Sequence, residues 1–305
     1  PWAGLVAGLA FALDAVPWST AMVQEMYALM ALLAAVLLAG AGALAEGWRL
    51  RLWLGLCFFY GVALCNRTDL VLWAPGLAVL GWPPAERRSK ALWGAAAAGL
   101  AGLSLYLFLP LRSSGGPWLD WNHPATPGNL WGSLTRRGYG GTLDLLSKSY
   151  APGETFTANL AVYGRHLFSD LGVWVLAPAL FGALSWARAK PRLLAGTSLL
   201  YIASGPLFLY MANMPPNPHA LAIVEPHYLL SDLVLALWAG VAAAEACRLA
   251  GGVWPGVVLA ALTAVLPFLQ GRFARMDRRW DLFAHDWADS ALRSLLGDGV
   301  IGGVG

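Results

Sequence analysis

The stretch AMVQEMYALMALLAAVLLAGAGALAEGWRLR, residues 21–51, decides the fold. From Met26 to Ala45 it carries no charge. At about 1.5 Å per residue, a helix of that length crosses a hydrocarbon layer of about 30 Å. Its two ends differ. Glu25 stands alone at the first mouth with no basic residue beside it, whereas Arg49 and Arg51 follow the second. The arginines give the helix an orientation, and Glu25 raises the question of what keeps a carboxylate charged at that depth.

The rest of the chain has the same character. It is 58% hydrophobic and 12% charged, with a mean hydropathy of +0.58; a soluble domain carries about 25% charged residues. Apolar runs fall at roughly 2–13, 21–45, 52–65, 70–82, 91–110, 171–187, 193–212, 229–247 and 252–269. They predict an all-α integral membrane protein, a polytopic helical bundle of about nine membrane segments. The runs at 52–65 and 70–82 are short for a bilayer and read as extended by their neighbours or as a broken, re-entrant pair. The membrane domain is expected over 1–269. The chain opens inside an apolar run and closes on GDGVIGGVG, and it reads as a fragment cut at both ends.

Charge in the short loops alternates. Arg49, Arg51, Arg87, Arg88, Lys90, Arg188, Lys190, Arg192 and Arg248 lie in one set, and the opposite set, around 14–20, 66–69 and 213–228, holds only Arg67. The positive-inside rule puts the first set in the cytoplasm. The segment 111–170 and the segment 270–305 then lie outside, the latter as the start of an extracytoplasmic C-terminal region. Residues 142–168 read as one or two amphipathic helices at the membrane surface. Asp277–Leu296 reads as another, with Trp280, Phe283, Trp287, Leu292 and Leu295 at helical spacing. Tryptophans at run ends (Trp18, Trp48, Trp53, Trp82, Trp186) suit an interfacial belt, and WGAAAAGLAGLSLYLFLP suits close helix packing. Cys57, Cys65 and Cys247 fit neither a disulfide framework nor a metal site and read as small apolar residues. The scattered basic residues match no nucleic-acid-binding motif, so no nucleic-acid partner is expected.

Polar residues gather at the outer ends of the helices: Asp14, Glu25, Asn66, Arg67, Asp69, Arg112, Glu225, His227 and Asp232. Ionisable groups there face a cavity or a partner. Glu25 either helps to build an outward-facing pocket or forms an ion pair between helices, with Arg112, Arg67 or a bound cation as its partner. Arg112, directly after FLPL, either snorkels or holds a phosphate. Arg136 and Arg137 either do the same or lie on a solvated face. His227 sits beside Glu225 at a helix mouth, in a structural or a chemical role. No His/Cys/Asp group has transition-metal spacing, and there is no GxSxG, P-loop or dinucleotide fingerprint.

Four stretches in order resemble one membrane family: PWSTAMVQEMYALMALL (17–33), GVALCNRTDLVLWAPG (61–76), LYLFLPLRSSGGPWLDWNHPATPGNLWGSLTRRGYGG (105–141) and VEPHYLLSDLVLALWAGV (224–241). It is the family that includes the eukaryotic endoplasmic-reticulum O-mannosyltransferase of plexin-type IPT domains, with many bacterial members. RRWDLFAHDWADSALRSLLGDGVI (278–301) is similar to its post-membrane segment. The family's Glu-Val-Tyr-Ser-Leu pattern falls on Glu25-Met26-Tyr27-Ala28-Leu29, and its Leu-Arg-Ser/Ala element on Leu111-Arg112-Ser113. Its Trp-Gly-x-Pro stretch falls on Trp121-Asn122-His123-Pro124, its Arg-x-x-Tyr-Gly element on Arg136 to Gly140, and its late Glu-Arg-Phe on Glu225 and the residues around His227. Its Asn-His is Asn66-Arg67 here.

The resemblance implies a fold similar to GT-C glycosyltransferases and transfer of a sugar, mannose in the first instance, from a polyprenyl-phosphate donor to a hydroxyl of a protein Ser/Thr or glycan acceptor. The expected place is the outer face of the bacterial inner membrane. Arg112 is the first candidate for the donor phosphate, with Arg136 and Arg137 behind it. Glu25 would support that pocket, and Trp121, Tyr139 and Glu225 would line the cleft, with Tyr27, Asn66 and His227 beside them. No metal and no cofactor is expected from the residues. The resemblance puts the catalytic base in an acidic loop before Pro1, so the fragment is expected to be inactive alone. A transporter or flippase of lipid-linked sugars is the alternative, and it would place ionisable residues near the bilayer midplane.

Overall fold

The computed structural model describes residues 1–22, 26–135, 137 and 150–272, and in the C-terminal segment 274, 277, 286, 287, 289 and 290. Most of the described residues are helical and none lies in a strand. The deciding run forms α3 (Tyr27–Glu46), preceded by α1 (Trp2–Ala12) and α2 (Ala15–Ala21). Then come α4 (Leu50–Asn66), a 3-10 turn (Thr68–Trp73), α5 (Ala74–Gly81), α6 (Arg88–Leu103) and α7 (Phe108–Ser114). The loop beyond carries α8 (Pro127–Leu134) and leads to α9 (Phe156–His166), α10 (Val173–Ala189) and α11 (Pro191–Ile202). α12 (Phe208–Ala212), α13 (Pro218–Val224), α14 (Tyr228–Ala250) and α15 (Trp254–Leu269) complete the order.

Over the described residues, each of the nine apolar runs falls largely on helix. Four stretches are long and apolar enough to cross a membrane: Tyr27–Glu46, Ala85–Ser114, Pro191–Ala212 and Pro218–Ala250. The number is six if two sharply bent pairs each count as one span. The architecture is all-α and polytopic. Large apolar side chains on these spans remain exposed, among them Leu32, Leu100, Trp93 and Leu184. Such a surface is unfavourable in water and natural against acyl chains.

α14 is the central post. It is buried along most of its length, from Tyr228 to Ala243, and packs against α1, α10, α11 and α15. Small residues bring the backbones together, as the Gly/Ala-rich sequence suggests. A Cβ added at Gly182 of α10 would lie 1.9 Å from the Trp238 carbonyl of α14. On the other flank α4 lies along α6, where an added Cβ at Gly102 would lie 2.1 Å from the Phe58 carbonyl.

The two ends of the bundle are distinct. At one end Lys190 Nζ reaches Glu46 Oε1 at 2.5 Å, and Arg192 donates to the Val79 and Trp82 carbonyls at 2.8 and 2.9 Å. Trp48 Nε1 donates to the Gly81 carbonyl there at 3.1 Å. These contacts gather the loops rich in Lys and Arg. At the other end of α3, Asn66 Nδ2 donates to the Met26 carbonyl at 3.3 Å.

The sequence reads 142–168 as surface amphipathic helix. The described part, α9, instead turns Asn159, Tyr163 and His166 inward as buried residues. Its inward face is partly polar, so hydrophobic spacing alone does not identify it. Most of the C-terminal amphipathic helix expected over Asp277–Leu296 lies outside the described residues.

Candidate functional site

Two helix breaks build the most polar part of the interior. α1 and α2 meet at 66°. Between them Asp14 takes an extended conformation and accepts from the Ala15 N–H at 2.7 Å, capping α2. The second break, of 103°, separates Phe156–Leu171 from α10. There the helix loosens into a π-turn (Leu167–Leu171) and ends at Gly172, whose φ is +79°. A side chain at Gly172 would be strained by that φ and would meet the Trp174 ring. π-turns of this kind recur at functional sites.

Both breaks deliver charge to one place. His166 is the last residue of α9, and Asp170, one turn on, lies on the same helix face. His166 Nδ1 is 2.9 Å from Asp170 Oδ2, and His166 Nε2 is 3.0 Å from Asp232 Oδ2 in the second turn of α14. Asp14 and Asp232 are 1% and 0% exposed. A carboxylate oxygen from each and a ring nitrogen of His166 lie within 4.8 Å of one another. The Tyr228 ring packs 4.9 Å from the imidazole and Tyr163 stacks at 6.0 Å. Asp14 Oδ2, Asp232 Oδ1 and the Tyr228 hydroxyl have no hydrogen-bond partner among the described residues. Leaving one buried acceptor unsatisfied costs on the order of 1–3 kcal/mol, and more for a charge.

A second group lies at the same end, one turn before Asp232 on the chain. Asp69 Oδ2 accepts from Arg67 Nε at 2.9 Å and from Arg67 Nη2, and it lies 3.0 Å from His227 Nε2. The Arg67 guanidinium sits 4.7 Å over the Tyr27 ring. The His227 imidazole stacks on Phe208 at 4.3 Å and meets Tyr27 edge-on at 5.5 Å. Thus Tyr27 and His227 are in contact, and Asn66 Nδ2 reaches the Met26 carbonyl next to Tyr27. Arg67, one of the two cations expected to pair with Glu25, is engaged by Asp69. Glu25, Arg136 and Tyr139 lie outside the described residues.

The remaining expected residues lie on the surface of the same end. Arg112 is exposed in the last turn of α7, and Arg137 and Glu225 are exposed as well. Trp121 is 67% exposed. Among the described contacts none joins Arg112 to the His227 group. Its neighbour is a loop knot: Ser113 Oγ donates to Asp120 Oδ2 at 2.7 Å, and His123 Nδ1 lies 2.5 Å from the same oxygen. The Ser113 hydroxyl above all, with His123 and Arg112, holds the Asp120 carboxyl below its ordinary range. A lowered carboxyl favours this knot at all pH values above the ordinary carboxylate range, and the preference is lost as pH falls through the lowered value. Asp120→Asn should therefore raise amide hydrogen exchange across 113–123 while leaving the global melting temperature unchanged.

The chain matches no family model, no curated protein and no solved structure.

Asp14 and Asp232 are visible in the sequence as polar residues at helix ends. His166 and Asp170 escape notice there, although GRHLFSD carries the signal of a histidine and a carboxylate one turn apart. Nothing local says that residues 14, 166 and 232 meet, so no metal-ligand spacing could show in the sequence.

Proposed function

We propose that this chain is the membrane domain of a GT-C-like glycosyltransferase with nine membrane segments. It moves a sugar, mannose in the first instance, from a polyprenyl-phosphate donor to a protein Ser/Thr or glycan hydroxyl. The working face is extracytoplasmic, in a bacterial inner membrane. The observation that carries this reading is the one-sidedness of the buried charge. Asp14, Arg67, Asp69, His166, His227 and Asp232 are all gathered at helix breaks and helix mouths. The Glu46–Lys190 end, by contrast, carries basic loops and exposed ion pairs. An enzyme that meets its lipid donor and its acceptor on one side of the bilayer needs that asymmetry.

The chemistry follows from the reaction. Glycosyl transfer passes through an oxocarbenium-like transition state, a carboxylate activates the acceptor hydroxyl, and a lipid phosphate leaves. Cations at the membrane surface stabilise that leaving group. Arg112 and Arg137 are exposed, as contact with a headgroup requires, whereas Arg67 is held by Asp69 and Tyr27. Membranes carrying the full-length protein should transfer label from polyprenyl-phosphate mannose to a non-lipid product. Arg112→Ala should insert normally and lose transfer by about 100-fold or more, the effect of removing one preorganised donor to developing charge. Wild-type transfer by that variant would remove Arg112 from the phosphate role, and no transfer by the parent would sink the reading.

A lipid-linked-sugar transporter is the second reading, and the two helix breaks favour it. Discontinuous helices with carboxylates at the break are how many transporters build a binding site. Against it stands the position of Asp232, only one turn into a helix that runs from Tyr228 to Ala250.

A further inference from the structure

We propose that Asp14, His166 and Asp232 form a binding site for one divalent transition-metal ion, of the Zn2+ or Mn2+ class. The inference does not depend on the transferase reading. Three observations support it. The first is the ligand set itself: one imidazole nitrogen and two carboxylate oxygens, all buried, within 4.8 Å of one another. Ligands at about 2.1 Å from a tetrahedral ion lie about 3.4 Å apart; His166 Nε2 and Asp232 Oδ2 are already 3.0 Å apart, and no pair of the three exceeds 4.8 Å, so side-chain rotation of about an ångström or less closes the site.

The second observation is the orientation of the histidine. Asp170 holds His166 Nδ1 at 2.9 Å, which leaves Nε2 facing Asp232. A carboxylate on the far nitrogen is the arrangement that fixes the tautomer of a metal-binding imidazole and raises its basicity. Asp170 is met in turn by Ser169 Oγ at 3.0 Å, so the positioning residue is itself positioned.

The third is the set of unsatisfied atoms. Asp14 Oδ2 and Asp232 Oδ1 are fully buried carboxylate oxygens with no hydrogen-bond partner among the described residues. Two carboxylates and one neutral imidazole balance the charge of one divalent ion. On binding, the proton shared by His166 Nε2 and Asp232 Oδ2 leaves to solvent and the metal takes its place, so charge and atoms balance. The mixed N/O set suits Zn2+ or Mn2+ and offers no thiolate to a softer ion. The site brings three remote parts of the chain together: the α1–α2 break, the end of α9 and the start of α14.

The test uses the intact chain in lipid nanodiscs, stripped with chelator and titrated with ZnCl2 or MnCl2. Elemental analysis should give one ion per chain. Asp14→Asn, His166→Gln and Asp232→Asn should each weaken binding by about 100-fold or more, Asp170→Asn by about 10–100-fold, and His219→Gln not at all. X-ray absorption on the wild-type Zn2+ form reads the ligand set without any variant, so a variant that fails to fold leaves the test intact. One imidazole nitrogen among oxygens is expected. Failure to retain an ion, a shell without imidazole, or ligand variants that bind like wild type would overturn the site.

Discussion

Asp69→Ala should destabilise the protein by about 3–5 kcal/mol, the cost of removing one partner from a buried ion pair. Asp69 is buried and its Oδ2 is the common acceptor of Arg67 and the close neighbour of His227. Without it, a guanidinium and an imidazole face each other inside the bundle. Stacking on Phe208 and Tyr27 still holds both rings in place. His227 is buried and Arg67 is only partly exposed, so the guanidinium regains full hydration only by opening the junction between α4 and the Thr68–Trp73 turn. The loss should appear as a lower midpoint in denaturation from mixed micelles. Replacing Arg67 and Asp69 together by Met and Leu should regain most of it, because a buried pair replaced by apolar residues is often neutral. A single variant as stable as wild type would mean that Arg67 finds another acceptor.

The second large effect is expected at Gly182. An added Cβ would lie 1.9 Å from the Trp238 carbonyl and 2.9 Å from the Ala242 backbone nitrogen. Both are backbone atoms of the central helix and cannot rotate aside. α10 must therefore move off α14, and α10 is also the helix that follows the Gly172 break. Gly182→Leu should cost more than the 1–3 kcal/mol typical of overpacking, on the order of 3 kcal/mol or above. It should also displace Asp170 and His166 from Asp232. The conservative Gly182→Ala separates the two consequences: it should lower stability by about 1–3 kcal/mol and leave the fold assembled. Equal stability of all three proteins would show that α10 and α14 do not approach as closely as described.

The helices were legible because lipid-compatible runs are long, continuous and charge-poor; α3 could be read from residues 21–51 alone. The grouping of the basic loops was legible too, since the bridge from Lys190 to Glu46 and the contacts of Arg192 gather loops that the charge alternation assigns to one side. The breaks were not. Residues 2–21 read as the end of one apolar run and the start of another, and only the capping geometry of Asp14 shows a bend of 66°. Which face of α9 turns inward was not legible, because it buries His166 and Asn159 as well as Tyr163. The meeting of Tyr27, Arg67, Asp69 and His227 was half visible. Each residue stands at a helix mouth on the same side, but the stacking on Phe208 and the choice of Asp69 as the partner of Arg67 depend on packing between remote elements.

The proposed transfer by the polar end of this bundle takes place on one side of the membrane, and that sidedness can be measured. The protein is placed in sealed vesicles of one orientation and supplied with radiolabelled polyprenyl-phosphate mannose on the face that carries the His227 and Asp232 groups. Label should leave the lipid and appear in a hydroxyl-linked product on that same face, and the product should disappear with Arg112→Ala. Label that crosses the bilayer while still attached to its lipid would exclude one-sided transfer and make the helix breaks part of a transport path.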